Sequence, residues 1–274
     1  MTYKTLLVHV EASPDSNLRL RAAVDLAHEL RATLIGVGGS EPIYLDNPMM
    51  MDGCVDGTLL QSLTDFDVAN LKDAEARFHA AVGSRGGAAI WLSARDYPDL
   101  AMRICAAGAD LIVASAQRGP KASTAAAADL VLRTGLPVLT IPTDLPAIRT
   151  KRIVVAWKNT REARRAVSDA MPLLIAADQV AVLRICSSQD QDAAHGGLND
   201  VVGRLARQGV NATPKTLQCP TEKAFHTLAT FAEEQLADLI VAGAYGHSRL
   251  GEWMLGGMTQ DLFDQSTLPV LFSH

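Results

Sequence analysis

The sequence predicts an α/β protein: two tandem, open, five-stranded, mainly parallel sheets with helices on both faces, packed together as a pseudo-dimer. Two observations carry that prediction. Short apolar, β-rich runs alternate with helical stretches of ten or more residues, and parallel strands need crossovers of that length. The succession of runs is then written twice along the 274 residues, as expected of a duplicated unit whose insertions fall in loops.

Thr5 to Val10 reads as the first strand. Asp15 or Ser16 can cap a following helix, in which Leu18, Ala22, Leu26 and Leu30 recur at near-helical spacing. Thr33 to Val37 gives a second strand, and a loop carrying Gly38, Gly39, Pro42, Pro48 and Gly53 leads to a helix near Leu59 to Val82. Met49, Met50 and Met51 form an apolar tip in that loop, suited to covering a groove or meeting another subunit, and equally to a mobile loop. Ala88 to Leu92 is the third strand, Pro98 can open a helix, Leu111 to Ala114 is the fourth strand, and Leu136 to Ile141 closes the set.

From Lys151 the programme restarts: KRIVVAWKNTREARRAV parallels KTLLVHVEASPDSNLRLRAAV, ADLIVAGA parallels ADLIVASA, and LPVLFSH parallels LPVLTIP. The proline-containing segment Pro142 to Thr150 reads as a linker, which sets domains at 1–147 and 148–274. Joined so closely, the halves are expected to pack face to face, with the two final strands as the natural seam.

Composition excludes several classes of function. A chain with 48% hydrophobic and 20% charged residues is not disordered. The net charge of −5 divides into 13 basic and 17 acidic residues over 1–150, and 12 and 13 over 151–274, so neither half has the basic excess that nucleic acid requires. Cys54, Cys105, Cys186 and Cys219 show no metal-ligand spacing and read as buried reduced thiols. MTYKTLLVHVEASPDS fails as a signal peptide, and no apolar stretch reaches the roughly 18 residues that cross a bilayer. The expectation is a cytoplasmic protein with no membrane partner.

Chemistry is expected at ADLIVAGAYGHSRLGEWMLGGMT, where an apolar strand, Leu239 to Ala242, runs into a loop punctuated by Gly243, Gly246, Gly256 and Gly257. Glycines let a backbone approach a ligand, and a helix starting after them offers unpaired N–H groups to a phosphate. A strand-to-helix turn without a ligand uses the same residues. In this pattern the chain resembles the universal stress protein family in its tandem form. The family's nucleotide-binding members carry a glycine, two residues, a glycine, nine residues, and a glycine followed by serine or threonine. Gly243, Gly246 and Gly256 match, Gly257 stands where the hydroxyl is expected, and Met258 and Thr259 match the apolar residue and hydroxyl that often follow.

The resemblance implies Rossmann-like halves of the adenine nucleotide alpha hydrolase type, with ATP or AMP lying over the carboxyl ends of the strands and no metal beyond the magnesium that accompanies a nucleotide. It places Thr259 as a phosphate contact and an aspartate at the end of the first strand. The aligned residues are Lys158 in the second half and Glu11 in the first. Lysine has donors only and cannot accept from ribose hydroxyls. Lys158 is suited instead to a phosphate or another anion, or to plain solvation.

In the first half Ser115 and Arg118 replace Gly243 and Gly246, which reads as a lost cradle and a scaffold or partner-binding role. Anion binding by Arg118 and Lys121 is the alternative. Arg249, whose guanidinium pairs with phosphate oxygens, joins the candidate contacts, and His247 and Ser248 stand beside it without an orienting carboxylate for catalysis. Leu250, Trp253 and Met254 read as a packing face, and Asp190, Asp192 and His195 as a surface loop rather than a metal site. Three readings of function follow: a stress protein binding an adenine nucleotide or related anion in its second half, an interaction protein that has lost that ligand, and a slow ATPase. Further homo-oligomerisation is compatible with each.

Overall fold

The computed structural model describes residues 2–12, 16–39, 57–83, 85–94, 96–116, 126–142, 145, 147–187, 195–245 and 257–274. The apolar runs become strands β1 (Thr5–His9), β2 (Thr33–Gly39), β3 (Ala89–Ala94), β4 (Leu111–Ser115), β5 (Val138–Ile141), β6 (Arg152–Ala156), β7 (Gln179–Cys186), β8 (Ala212–Gln218), β9 (Leu239–Gly243) and β10 (Val270–Ser273). Between them lie helices α1 (Ser16–Leu30), α2 (Gly57–Gly83), α3 (Pro98–Cys105), α4 (Ala127–Thr134), α5 (Arg161–Asp169), α6 (Met171–Ala176), α7 (His195–Arg207), α8 (Ala224–Glu234) and α9 (Gly257–Gln265).

The two predicted sheets are one. All ten strands form a single sheet in the order β3-β2-β1-β4-β5-β10-β9-β6-β7-β8. Neighbours are parallel except at the centre, where β10 runs antiparallel to β5 and Leu271 faces Leu139. The final strands are indeed the seam, but they join edge to edge rather than face to face. A short apolar edge strand presents unpaired N–H and C=O groups, and pairing β5 with β10 satisfies both edges at once. Thr140 adds a hydroxyl bond to the Val270 carbonyl at 3.2 Å, and the Tyr3 hydroxyl donates to the Asp169 carbonyl at 2.5 Å, so both halves are tied across the seam.

Strand alternation divides the core into two layers. Leu6 and Val8, like Ile153 and Val155, face the layer under α1, α2, α5, α6 and α7. Leu7 and Val154 face the opposite layer under α3, α4, α8 and α9. Each layer takes residues from both halves, so apolar burial as well as the strand ladder crosses the seam.

The repeated ADLIV segment has a structural cause at the amino ends of the strands. Asp110 Oδ2 accepts from the backbone N–H groups of Lys4 and Thr5 at 2.7 and 2.9 Å. Asp238 Oδ2 does the same for Lys151 and Arg152 at 3.1 and 2.9 Å. Each carboxylate thereby closes donors that its sheet leaves open.

The buried face of α1 differs from the expected one. Ala22 and Leu26 are buried as expected, but Leu20, Ala23, Val24 and Ala27 are buried with them and Leu18 and Leu30 are only half-buried, because α1 packs against both the sheet and α2. Of the described cysteines, all unpaired, Cys186 is buried and Cys105 and Cys219 are only half-buried. Among the described residues no helix is long and apolar enough to cross a membrane.

Candidate functional site

The chain leaves β6 for β7 and β8 on one side and returns with β9 on the other. The segments that follow β6 and β9 therefore diverge at their carboxyl ends, and that switch point is where open parallel sheets form a crevice. After β6 come Trp157, Lys158, Asn159 and Thr160. Thr160 caps α5, its side chain accepting from the Ala163 N–H at 3.3 Å. Lys158 is exposed, and its carbonyl accepts from the Thr160 N–H at 2.7 Å, which tightens the turn into the helix.

Gly243 ends β9, and its missing side chain is occupied by protein. A Cβ there would lie 2.6 Å from Ala163 N and 2.7 Å from the Glu162 carbonyl carbon. The glycine lets α5 cross the end of the strand, a demand that exists without any ligand. Tyr245 follows at φ +59°, a left-handed conformation uncommon for a non-glycine residue. Its ring stacks over Phe263 of α9 at 6.2 Å between centroids.

Gly246, Arg249 and Gly256 lie outside the described residues, together with His247, Ser248, Leu250, Trp253 and Met254. Gly257 opens α9, exposed and with none of the described residues within 4 Å of where a Cβ would lie. Met258 is half-buried against the apolar layer, and Thr259 is buried on the face that carries Leu262 and Phe263. Arg118, Lys121, Met49 to Met51, Asp190 and Asp192 also fall outside, as does the His195 side chain; no metal-binding cluster occurs among the described residues.

A residue that the sequence reading passed over sits beside Gly243. Glu162 is 1% exposed although it is a carboxylate. Arg161 Nε donates to its Oε1 at 2.5 Å, while Oε2 is covered and has no hydrogen-bond partner among the described residues. Burial acts to raise its pKa; bonding from Arg161, from its own backbone N–H and from Thr160 outweighs burial and holds the carboxyl below its ordinary value. Arg161 Nη2 also lies 3.4 Å from His274 Nε2, and His274 Nδ1 lies 3.0 Å from the Ala244 carbonyl. The signal was available: Glu162, Ala163, Ala166 and Val167 form one buried helical stripe, and a charge inside a stripe is the anomaly to notice.

The first half fills the equivalent place with the opposite charge. Matched on buried positions, Arg19, Leu20, Ala23, Val24 and Ala27 of α1 correspond to Glu162, Ala163, Ala166, Val167 and Ala170. Arg19 is 5% exposed, and each of its guanidinium nitrogens donates to the chain. Its Nε and Nη2 donate to the His9 carbonyl at 3.2 and 2.9 Å, Nη2 also reaches Glu11 Oε1 at 3.3 Å, and Nη1 donates to the Ser115 hydroxyl. One guanidinium thus ties together the carboxyl ends of β1 and β4, with Ser115 standing where the second half has Gly243.

The universal stress protein family model matches residues 149–274. The second half of the chain is a universal stress protein domain. A universal stress protein from Archaeoglobus fulgidus DSM 4304 shares the fold over 98% of this chain and 97% of its own, with a TM-score of 0.73 at 15% identity. A functionally unknown protein from Pseudomonas aeruginosa PAO1 covers 99% of this chain and 92% of its own, with a TM-score of 0.60 at 15% identity. At half the length, a universal stress protein solved in complex with cAMP covers 45% of this chain and 97% of its own, with a TM-score of 0.37 at 21% identity. The two full-length likenesses speak for the fold alone. No curated protein matches the sequence.

The His9, Glu11 and Arg19 cluster of the first half sets a pH dependence. His9 is 3% exposed, and burial, reinforced by Arg19, lowers its pKa. The unfolded chain therefore takes up a proton below pH 6.5 that the folded ring refuses, and stability falls as pH drops through that value. Glu11, held down to about 2 by the His9 nitrogen 3.2 Å away and by Arg19 against the opposing pull of burial, adds stability that is complete above its ordinary 4.5 and lost as pH falls towards 2. Urea titrations from pH 8 to 3 should show a loss beginning near pH 6.5, and His9→Gln should flatten the first part of it. A wild-type profile flat from pH 7 to 5 would contradict this.

Proposed function

We propose that residues 148–274 form a binding unit for an adenine nucleotide or a related anion, and that residues 1–147 form its closed partner. The observation that carries this reading is the β6–β9 switch point, where the segment after β6 bears exposed Lys158 and the segment after β9 leads to Gly257 at the start of α9. Both features suit negative charge. An ammonium offers three donors, and the first turn of a helix offers unpaired N–H groups and the positive end of the dipole. A nucleotide bound here would have its phosphates held by Lys158 and the first turn of α9, with any accompanying magnesium brought by the phosphates.

Calorimetric titration of the full chain with ATP and AMP should give one saturable site. Lys158→Ala should weaken ATP several-fold, as expected for loss of one charge-assisted bond. Absence of binding at millimolar nucleotide would overturn the reading. Gly243 favours the second reading, an interaction protein without a nucleotide, because close packing by α5 already accounts for that glycine.

A further inference from the structure

The two outer edges of the sheet are built differently. β8 closes one side, and its exposed middle carries Pro214 and Lys215, a residue without an N–H and a charge, both of which hinder the addition of another strand. β3 closes the other. Its six residues, AIWLSA, include no proline and no charge, and among the described residues it pairs with β2 alone. Ile90 and Leu92 stand in register with Ile35 and Val37 of β2, on the face that α3 covers, yet they are 47% and 39% exposed where Ile35 and Val37 are buried. The apolar layer therefore runs on to the edge of the sheet and ends in water.

The hydrogen-bonding groups of that edge have a definite order. The Ala88 carbonyl accepts from the Leu34 N–H at 2.9 Å. A parallel ladder uses alternate residues of a strand, so Ile90 and Leu92 turn their N–H and C=O groups to β2, and Ala89, Trp91 and Ser93 turn theirs outward. The outward residues are symmetric about Trp91, and so are the two apolar side chains that flank it.

A second copy of the same strand, run antiparallel about a two-fold axis at Trp91, uses all of these groups. Trp91 then faces Trp91, Ala89 faces Ser93 in both directions, and each of these pairs exchanges two hydrogen bonds. Ile90 of one copy faces Leu92 of the other, twice, at the positions between hydrogen-bonded pairs where side chains come closest. The absence of charge fits a second copy in particular, since a two-fold axis sets each surface against itself and brings a charge on the strand near its own image.

We propose that β3 is the dimerisation edge of this protein, pairing with β3 of a second copy in the register centred on Trp91. The chain already uses this solution once, at the seam, where apolar β5 and β10 pair antiparallel. Association ends at two copies, because both outer edges of the joined sheet are then β8 with its proline and lysine. A strand pair buries less than the roughly 1,600 Å² of a standard interface, so the dimer forms in a concentration-dependent way.

Sedimentation equilibrium of the full chain, from low to high micromolar concentration, should show the average mass climbing from one chain towards two. Ile90→Lys and Leu92→Glu each change an exposed side chain at two symmetric places in the dimer, and each should weaken it about tenfold or more while the melting of dilute protein stays as in the wild type. Mixed in equal amounts, the two variants should associate again, because the register sets the introduced lysine opposite the introduced glutamate and the remaining Leu92 opposite the remaining Ile90. A wild-type chain that stays monomeric over the whole range would overturn the inference. A dimer indifferent to both substitutions would put the interface on another surface, and dissociated variants that fail to recombine would exclude the register; either result overturns it as well.

Discussion

Arg19→Ala should lower the stability of the chain by about 3–5 kcal/mol, the usual cost of breaking a buried ion pair by removing one partner. The variant strips the guanidinium from the His9 carbonyl and the Ser115 hydroxyl and leaves Glu11 without its nearest cation. Because the Glu11 side chain keeps 28% exposure, water recovers part of its solvation and the lower end of the range is expected. Arg19→Lys should fall between the two, since an ammonium keeps the charge but cannot fork to a carbonyl, a carboxylate and a hydroxyl together. Urea denaturation followed by far-ultraviolet circular dichroism measures both. A loss under about 1 kcal/mol for the alanine variant would mean that the cluster behaves as a solvated surface pair.

The same residue shows where reading the sequence stopped. The strands were legible because Leu6 to Val8, Leu111 to Val113 and Leu239 to Val241 are apolar without interruption, as burial on two faces requires. Element ends were less so. Gly38 and Gly39 look like turn residues, yet they continue β2 by pairing with Ser93 and Ala94 of β3. β8, with Pro214 and Lys215, has no apolar run to mark it in the sequence; it lies at a sheet edge, where it pairs with β7 alone and a proline is tolerated. Arg19 and Glu162 went unread as buried groups because an apolar stripe was sought in Leu18, Ala22, Leu26 and Leu30, and a charge within a stripe does not announce its partners in sequence.

The union of the halves was legible as a seam but not as a ladder. Val138–Ile141 and Val270–Ser273 are equally apolar, and sequence cannot distinguish two edges that stack from two edges that pair. Gly243 was legible as a glycine with a purpose, though not as the contact that admits Ala163. The strand and helix pattern could therefore be inferred largely from local sequence, whereas the candidate site depends on residues brought together across 80 or more positions, such as Glu162 and Gly243.

Phe272→Ala should cost about 3–5 kcal/mol, as large-to-small changes of fully buried aromatic residues do. Phe272 is wholly buried on β10, where it pairs with Val138 across the seam and with Ala242 of β9. Its ring stacks on Phe263 at 4.0 Å, and Phe263 stacks on Tyr245. Three rings thus run from the centre of the ten-stranded sheet to the residue just beyond β9, held at φ +59°. A strained conformation persists only where its surroundings over-determine it. Removing the first ring opens a cavity under Phe263, so Tyr245 should relax and nucleotide affinity should fall along with stability. Phe272→Leu fills most of the space, and both losses should be smaller. Full affinity for ATP in a Phe272→Ala protein that has lost the expected stability would mean that the ring stack supports the seam alone and leaves the switch-point crevice independent of it.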